Sequence, residues 1–180
     1  MISTNKINRV LVVLSLVVVS LAATAAPPDL QTKGRVIYLA DNLDEADKLG
    51  WCIDTVGRGF ADTLHAHSCK PQGGDVQFEY SAEQHRIQSV AFAGNCMSLI
   101  DPDNNKVPFG LVPCNSDDAR QGFVFDSNTG RIQLQSSPNQ CVVVGESSRS
   151  AGPFMSRNLI LANCENAEAE LSVWVYQSDN

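Results

Sequence analysis

Short runs of alternating apolar and polar positions recur along the chain from about residue 35 onward. The clearest three are Leu64-His65-Ala66-His67, Phe109-Gly110-Leu111-Val112 and Leu159-Ile160-Leu161-Ala162. Successive side chains of a β-strand point to opposite faces, so the first and third residues of each run share a face. We predict that this face is the core. Clusters of Gly, Pro, Asn, Asp and Ser separate the runs, which indicates short strands joined by turns.

One segment departs from this pattern. The stretch from Leu43 to Leu49 has helical spacing and lies where 17 residues separate Arg35 from Cys52, against ten between the equivalent arginines and cysteines later in the chain. We interpret it as a surface insertion with one helical turn.

The chain repeats itself three times. Four landmarks recur in one order at intervals of about 45 residues: a strand-starting arginine (Arg35, Arg86, Arg131), a first cysteine (Cys52, Cys96, Cys141), a second cysteine (Cys69, Cys114, Cys164) and an aromatic pair (Phe78 and Tyr80, Phe123 and Phe125, Trp174 and Tyr176). Three units of about four strands, closed on one another, describe an all-β β-trefoil. We place the units at about 35–85, 86–130 and 131–180.

The N-terminal segment has the features of an export signal. Lys6 and Arg9 precede an apolar run that ends near Leu21, and Ala23 and Ala25 have the spacing that signal peptidase cleaves. We predict a signal peptide over residues 1–25, a linker over 26–34, no membrane span after cleavage, and a secreted or periplasmic location.

Six cysteines in an exported chain indicate disulfides rather than a thiol nucleophile or a zinc site. Six cysteines allow 15 pairings, and the repeat favours the simplest of them. That pairing joins the two cysteines of each unit, Cys52 to Cys69, Cys96 to Cys114 and Cys141 to Cys164.

Charge and motifs exclude several functions. The chain has 13 basic and 20 acidic residues, and loss of Lys6 and Arg9 with the leader makes the net charge more negative, from −7 to −9. This negative charge argues against a nucleic-acid partner. No motif places a serine beside a base, so we predict no enzyme activity and no cofactor. His65 and His67 with Asp54 offer metal-ligand chemistry, but we interpret the histidines as solvent-facing and predict no metal site.

Several of these landmarks resemble the ricin-type lectin family. The matching elements are Cys52-Ile53-Asp54 with Cys69, Cys96 and Cys114 with Gln121-Gly122-Phe123, and Cys141 and Cys164 with Ser172-Val173-Trp174. The resemblance covers about residues 35–176 and implies a β-trefoil that binds a glycan or glycoconjugate, with galactose-type sugars as candidates.

In that family, the sugar site of a unit uses an Asp two residues after the first cysteine, an aromatic two before the second, and an Asn near the last motif. The first unit has Asp54, His67 and Asp75 at these places, with His65 on the face of His67. The other two units have unsuitable residues there: Ser98, Val112 and Arg120, and Val143, Ala162 and Leu171. The resemblance therefore implies at most one sugar site, formed by Asp54, His65, His67 and Asp75.

Two alternatives stay open. Asp54 has the sequence context of a turn-capping carboxylate bonded to backbone N–H groups between residues 54 and 57. The protein also fits an interaction module that has lost sugar binding, such as an accessory or cell-binding subunit of a secreted toxin or a protease inhibitor. Phe154, in a longer link between residues 147 and 157, is the aromatic residue that we predict to be exposed.

Overall fold

The computed structural model describes residues 26–179, so the predicted signal peptide lies outside the described residues. The strands are β1 (Val36–Leu39), β2 (Trp51–Thr55), β3 (Leu64–Ser68), β4 (Phe78–Ser81), β5 (Arg86–Ser89), β6 (Asn95–Leu99), β7 (Phe109–Pro113), β8 (Phe123–Asp126), β9 (Arg131–Leu134), β10 (Ser137–Val144), β11 (Arg149–Ala151), β12 (Phe154–Arg157), β13 (Leu159–Asn163) and β14 (Trp174–Gln177). A 3-10 turn (Ala119–Gln121) precedes β8, and a short helix α1 (Ala169–Ser172) precedes β14.

Twelve of these strands form three equivalent sets: β1–β4, β5–β8, and β9, β10, β13 and β14. Together with β11 and β12 they make three antiparallel sheets with the orders β11-β12-β3-β2-β1-β14, β4-β5-β6-β7 and β13-β10-β9-β8. The fourth strand of each set therefore pairs with the first strand of the next set. This interlocking confirms the predicted all-β trefoil, while the residue limits of the units stay a prediction.

The three sets meet in one central core. The first aromatic of each repeated pair, Phe78, Phe123 or Trp174, is at most 1% exposed and belongs to this core. In each alternating run the first residue is also buried there, as predicted. The third residue is buried in the first two runs, while Leu161 packs against the core half-buried.

The predicted disulfides are confirmed. Cys52 is bonded to Cys69, Cys96 to Cys114, and Cys141 to Cys164. Each bond ties the second strand of a set to the end of the strand that pairs with it.

The prediction of a helical turn between Leu43 and Leu49 is wrong. The segment consists of turns, with Leu43, Asp44 and Lys48 in the left-handed region. The side chains of Asp41 and Asp47 accept hydrogen bonds from the N–H groups two residues ahead, at 2.7 and 3.0 Å. Such local bonds compete with helical ones, which explains the difference. The segment is also not purely superficial, because Leu43 packs against the core.

The third set contains an insertion that the other sets lack. Strands β11 and β12 form a hairpin between β10 and β13, and β12 pairs with β3 of the first set, Ser156 opposite His67. Met155 N–H donates to the Ser68 hydroxyl at 3.0 Å, which fastens the hairpin to β3. The prediction that Phe154 is exposed is wrong, since docking of the hairpin leaves this residue half-buried against His67.

Candidate functional site

The paired strands β2 and β3 carry three of the four predicted site residues on one face. Trp51 and Ile53 of β2 point into the core, so Asp54 lies on the opposite face, directly paired with His65 of β3. His67 follows two residues later, and the Asp75 side chain meets the cluster from the turn between β3 and β4. The structure therefore brings all four residues together.

The two histidines are buried, so the prediction that they face solvent is wrong. His65 is 6% exposed and His67 is 5% exposed. The physical reason is the hairpin of the third set, which covers the edge of β3 and places the Phe154 ring 5.6 Å from the His67 ring, centroid to centroid. Because the contacting residues are distant in sequence, the alternation of apolar and polar residues around β3 could not indicate that the histidines are covered.

Asp54 lies beneath a lysine. Its side chain is fully buried, and its Oδ2 atom is 2.8 Å from Nζ of Lys70. The same Nζ is 2.9 Å from Oδ2 of Asp75, so one ammonium group bridges two carboxylates. Within residues 26–179, neither oxygen of Asp54 accepts a backbone hydrogen bond. The turn-capping alternative for Asp54 is therefore wrong.

Sequence reasoning missed Lys70. Burial alone would lower the pKa of this amine, but the ion pairs with Asp54 and Asp75 outweigh burial and raise the pKa above its ordinary value. Lys70 is therefore charged at neutral pH. The available sequence signal was its position directly after Cys69, the disulfide partner of a β2 cysteine.

The protonation of His67 is set by its surroundings. Its Nδ1 atom lies 2.9 Å from the carbonyl oxygen of Ser68, which only accepts, so Nδ1 carries the proton and Nε2 keeps its lone pair. Burial lowers the pKa of His67 and outweighs the attraction of Asp54, whose Oδ2 lies 3.6 Å from Nδ1. His65 Nε2 has no hydrogen-bond partner in the described chain and lies 3.8 Å from the same oxygen.

Stability is expected to fall on mild acidification because of His67. Its pKa is lower in the folded protein than in the unfolded chain, so between these two pKa values the unfolded state binds more protons. The contribution is fully present above about pH 6.5 and is lost as the pH falls toward the folded pKa. Urea denaturation between pH 7.5 and 5 should show this slope.

The variant His67→Asn is the matched test, because its amide retains a donor for the Ser68 carbonyl but does not titrate. It is expected to reduce the slope. His85→Asn, which changes a histidine outside this cluster, is the control. A slope identical in wild type and His67→Asn would contradict the assignment.

A cleft of about 480 Å³ opens above these residues. Three segments enclose it: the loop Gly57–Gly59 after β2, the β3 side chains with Lys70 and Asp75, and the hairpin turn that ends in Phe154. The cleft is thus built jointly by the first strand set and the insertion of the third. Arg58 and Phe154, like Lys70, were not among the predicted site residues.

A larger cleft of about 790 Å³ lies between the turns at Asp41–Asp44 and helix α1. Its lining combines apolar side chains with five carboxylates, and the guanidinium of Arg157 donates to the carbonyl oxygens of Gly145 and Glu146. It contains none of the predicted site residues. We therefore take the smaller cleft as the candidate site, because it contains the predicted site residues although it is not the larger of the two.

The equivalent positions of the other two sets lack this chemistry. Ser98 and Val143 are buried where β2 has Asp54. Arg120 is paired with Asp118 at 2.8 Å, and Leu171 packs against the Cys141–Cys164 disulfide. Among residues 26–179, no three His, Cys, Asp or Glu side chains are grouped as metal ligands.

Three solved structures show what this architecture resembles. No protein-family model and no curated protein matches the sequence. The C-half of the earthworm R-type lectin, solved with GalNAc, superposes with a TM-score of 0.56 at 13% identity, over 81% of this chain and 99% of that one. The β-trefoil lectin of the Vibrio vulnificus hemolysin/cytolysin, solved with N-acetyl-D-lactosamine, gives 0.55 at 13% identity, over 82% and 96%. This chain has the β-trefoil fold of the ricin-type lectins.

GalNAc-T7, solved with UDP, GalNAc and Mn²⁺, contains a similar trefoil. The TM-score is 0.52 at 16% identity over 84% of this chain, but the chain spans only 23% of the length of GalNAc-T7. At these identities the likeness concerns the fold, and the function of the trefoil has to be argued from its own site. Within the described part of the trefoil, no helix has the length and apolar character needed to cross a bilayer.

Proposed function

We propose that this trefoil is an exported, non-enzymatic carbohydrate-binding protein with a single sugar site in the cleft above β2 and β3. The observation that carries the proposal is a cluster of charged and imidazole side chains within the first strand set, beside the aromatic ring of Phe154 in the cleft wall. The cluster consists of Asp54, His65, His67, Lys70 and Asp75. The earthworm and Vibrio trefoils, which have the same fold, were solved with bound sugars. This supports a glycan of galactose type as the first ligand to test.

In this proposal Asp54 acts indirectly. Because it has no exposed surface, it orients Lys70, and the groups that meet sugar hydroxyls are Lys70, Asp75 and Nε2 of His67. The ammonium donates hydrogen bonds, whereas the carboxylate and the imidazole nitrogen accept them. A sugar hydroxyl does both, so this mixed set suits a polyol.

Phe154 supplies the apolar surface. The family places an aromatic residue where this chain has His67, and the Phe154 ring packs against that histidine from the inserted hairpin. Its position in the cleft wall lets it cover the C–H face of a sugar ring. The hairpin thereby contributes the stacking surface that β3 itself lacks.

Glycan-array binding followed by calorimetry on the mature protein tests this function. Phe154→Ala is expected to weaken binding by about tenfold, which corresponds to the upper end of the free energies of aromatic contacts. Phe60→Ala is the control, since Phe60 is 55% exposed and lies outside the cleft lining. Unchanged affinity in Phe154→Ala, or an array without signal at pH 7 and pH 5.5, would overturn the proposal.

A second candidate is a protein-interaction module, as an accessory or cell-binding subunit of a secreted toxin or as a protease inhibitor. It is favoured by the exposed ring of Phe60, which contacts Phe92 edge to face at 5.4 Å on a loop that also exposes Val56. Capture of one protein partner that free sugars do not displace, and that Phe60→Ala abolishes, would favour this candidate.

A further inference from the structure

The charged groups around the cleft are not all neutralised. Lys70 is shared by Asp54 and Asp75, so both carboxylates already have a cation. Arg58 also lines the cleft, is exposed, and has no ion pair or hydrogen bond to the described residues. Among the described residues of the cleft, Arg58 is therefore the cation without an ion-pair partner, whereas both carboxylates contact Lys70.

The loop of Arg58 is fixed at its base and open at its tip. The Thr55 hydroxyl donates to the Gly59 carbonyl at 2.8 Å, and Val56 N–H donates to the Thr63 carbonyl at 3.0 Å. Gly57 and Gly59 have φ values of 109° and 82°, with no atom within 4 Å of the space that a Cβ would fill. The backbone is thus tethered at the base of the loop, and the Arg58 side chain at its tip is exposed to solvent.

We propose that the preferred ligand is an acidic sugar whose carboxylate pairs with Arg58 while its ring and hydroxyls occupy the rest of the cleft. This inference rests on the proposed function and specifies its ligand class. A guanidinium matches a carboxylate through two parallel hydrogen bonds, a geometry that neutral sugars cannot use. Uronic acids and sialic acids share this chemistry.

The acidic character of the whole chain does not oppose this assignment. The net charge is −7, but at 0.15 M ionic strength charges beyond roughly 8 Å are largely screened. Within the cleft, Asp54 and Asp75 are offset by Lys70 and Arg58, and burial lowers the pKa of His67, so this imidazole is neutral at pH 7. The local charge is near zero before the ligand arrives.

Calorimetry with galacturonic acid and galactose tests the inference, because these sugars differ in having a carboxylate or a hydroxymethyl group at one carbon. At pH 7 and 0.15 M salt, the acid is expected to bind about tenfold more tightly, the lower range for a charge-assisted hydrogen bond. Raising the salt concentration to 0.5 M should weaken the binding of galacturonic acid but not that of galactose. Sialyllactose against lactose forms a second pair that distinguishes sialic from uronic acids.

Arg58→Gln is expected to abolish the preference, so that galacturonic acid and galactose bind this variant with equal affinity. Arg120→Gln is the matched control, since Arg120 is also exposed and pairs only with Asp118 in the described chain. Equal affinities in the wild type, or a preference that survives Arg58→Gln, would overturn this inference while leaving the proposed function intact. Failure of every sugar to bind would overturn both.

Discussion

Complete reduction of the three disulfide bonds is expected to unfold the protein at physiological temperature. The bonds close loops with sequence separations of 17, 18 and 23 residues. In the chain-entropy view, each loop of this size contributes roughly 3 kcal/mol to the free energy of unfolding. The sum of about 9 kcal/mol is comparable to the whole stability of an ordinary domain. Circular dichroism during urea denaturation, with and without reductant, measures the loss.

Paired cysteine-to-alanine variants resolve the contributions without leaving free thiols. Cys96→Ala with Cys114→Ala is expected to lower stability but leave ligand binding intact, because this bond lies in the second strand set. Cys52→Ala with Cys69→Ala is expected to lower both the stability and the ligand affinity, since Lys70 follows Cys69 directly. An unchanged denaturation midpoint in reductant, with thiol titration showing six free cysteines, would contradict the prediction.

The fold was predictable because its determinants recur. Phe78, Phe123 and Trp174 start the fourth strand of each set and are buried in one core, so three weak local signals reinforce one another. The segment after Leu43 has no such copies. Its spacing indicated a helix. The segment forms turns instead, because the side chains of Asp41 and Asp47 accept hydrogen bonds from backbone N–H groups two residues ahead.

The candidate site was only partly predictable, for a similar reason. Asp54 and His67 were found through the resemblance to the ricin-type lectins, whose sugar sites use the residues two after the first cysteine and two before the second. The burial of His67 was not found, because it depends on pairing between β3 and β12, whose paired residues are about 90 positions apart. Lys70, Arg58 and Phe154 belong to three separate elements that meet only in the folded trefoil. The longer spacing before Cys164 indicated an insertion in the third unit. It did not indicate that the inserted hairpin pairs with β3 of the first set.

The variant Lys70→Met is expected to destabilise the protein by about 3–5 kcal/mol, the usual cost of removing one partner of a buried ion pair. It leaves the fully buried Asp54 carboxylate, and Asp75 beside it, without a cation. Lys106→Met, which changes an exposed lysine with no ion pair in the described chain, is expected to have little effect. Urea denaturation of the two variants measures the difference.

Combining Lys70→Met with Asp54→Asn is expected to restore most of the lost stability, because the buried negative charge is then removed together with its partner. The double variant also separates stability from binding. If Asp54 acts through Lys70, as its complete burial requires, the refolded double variant still fails to bind sugar, since the donating ammonium is gone. Recovery of stability together with sugar affinity would show instead that the Lys70 ammonium is not part of the binding surface.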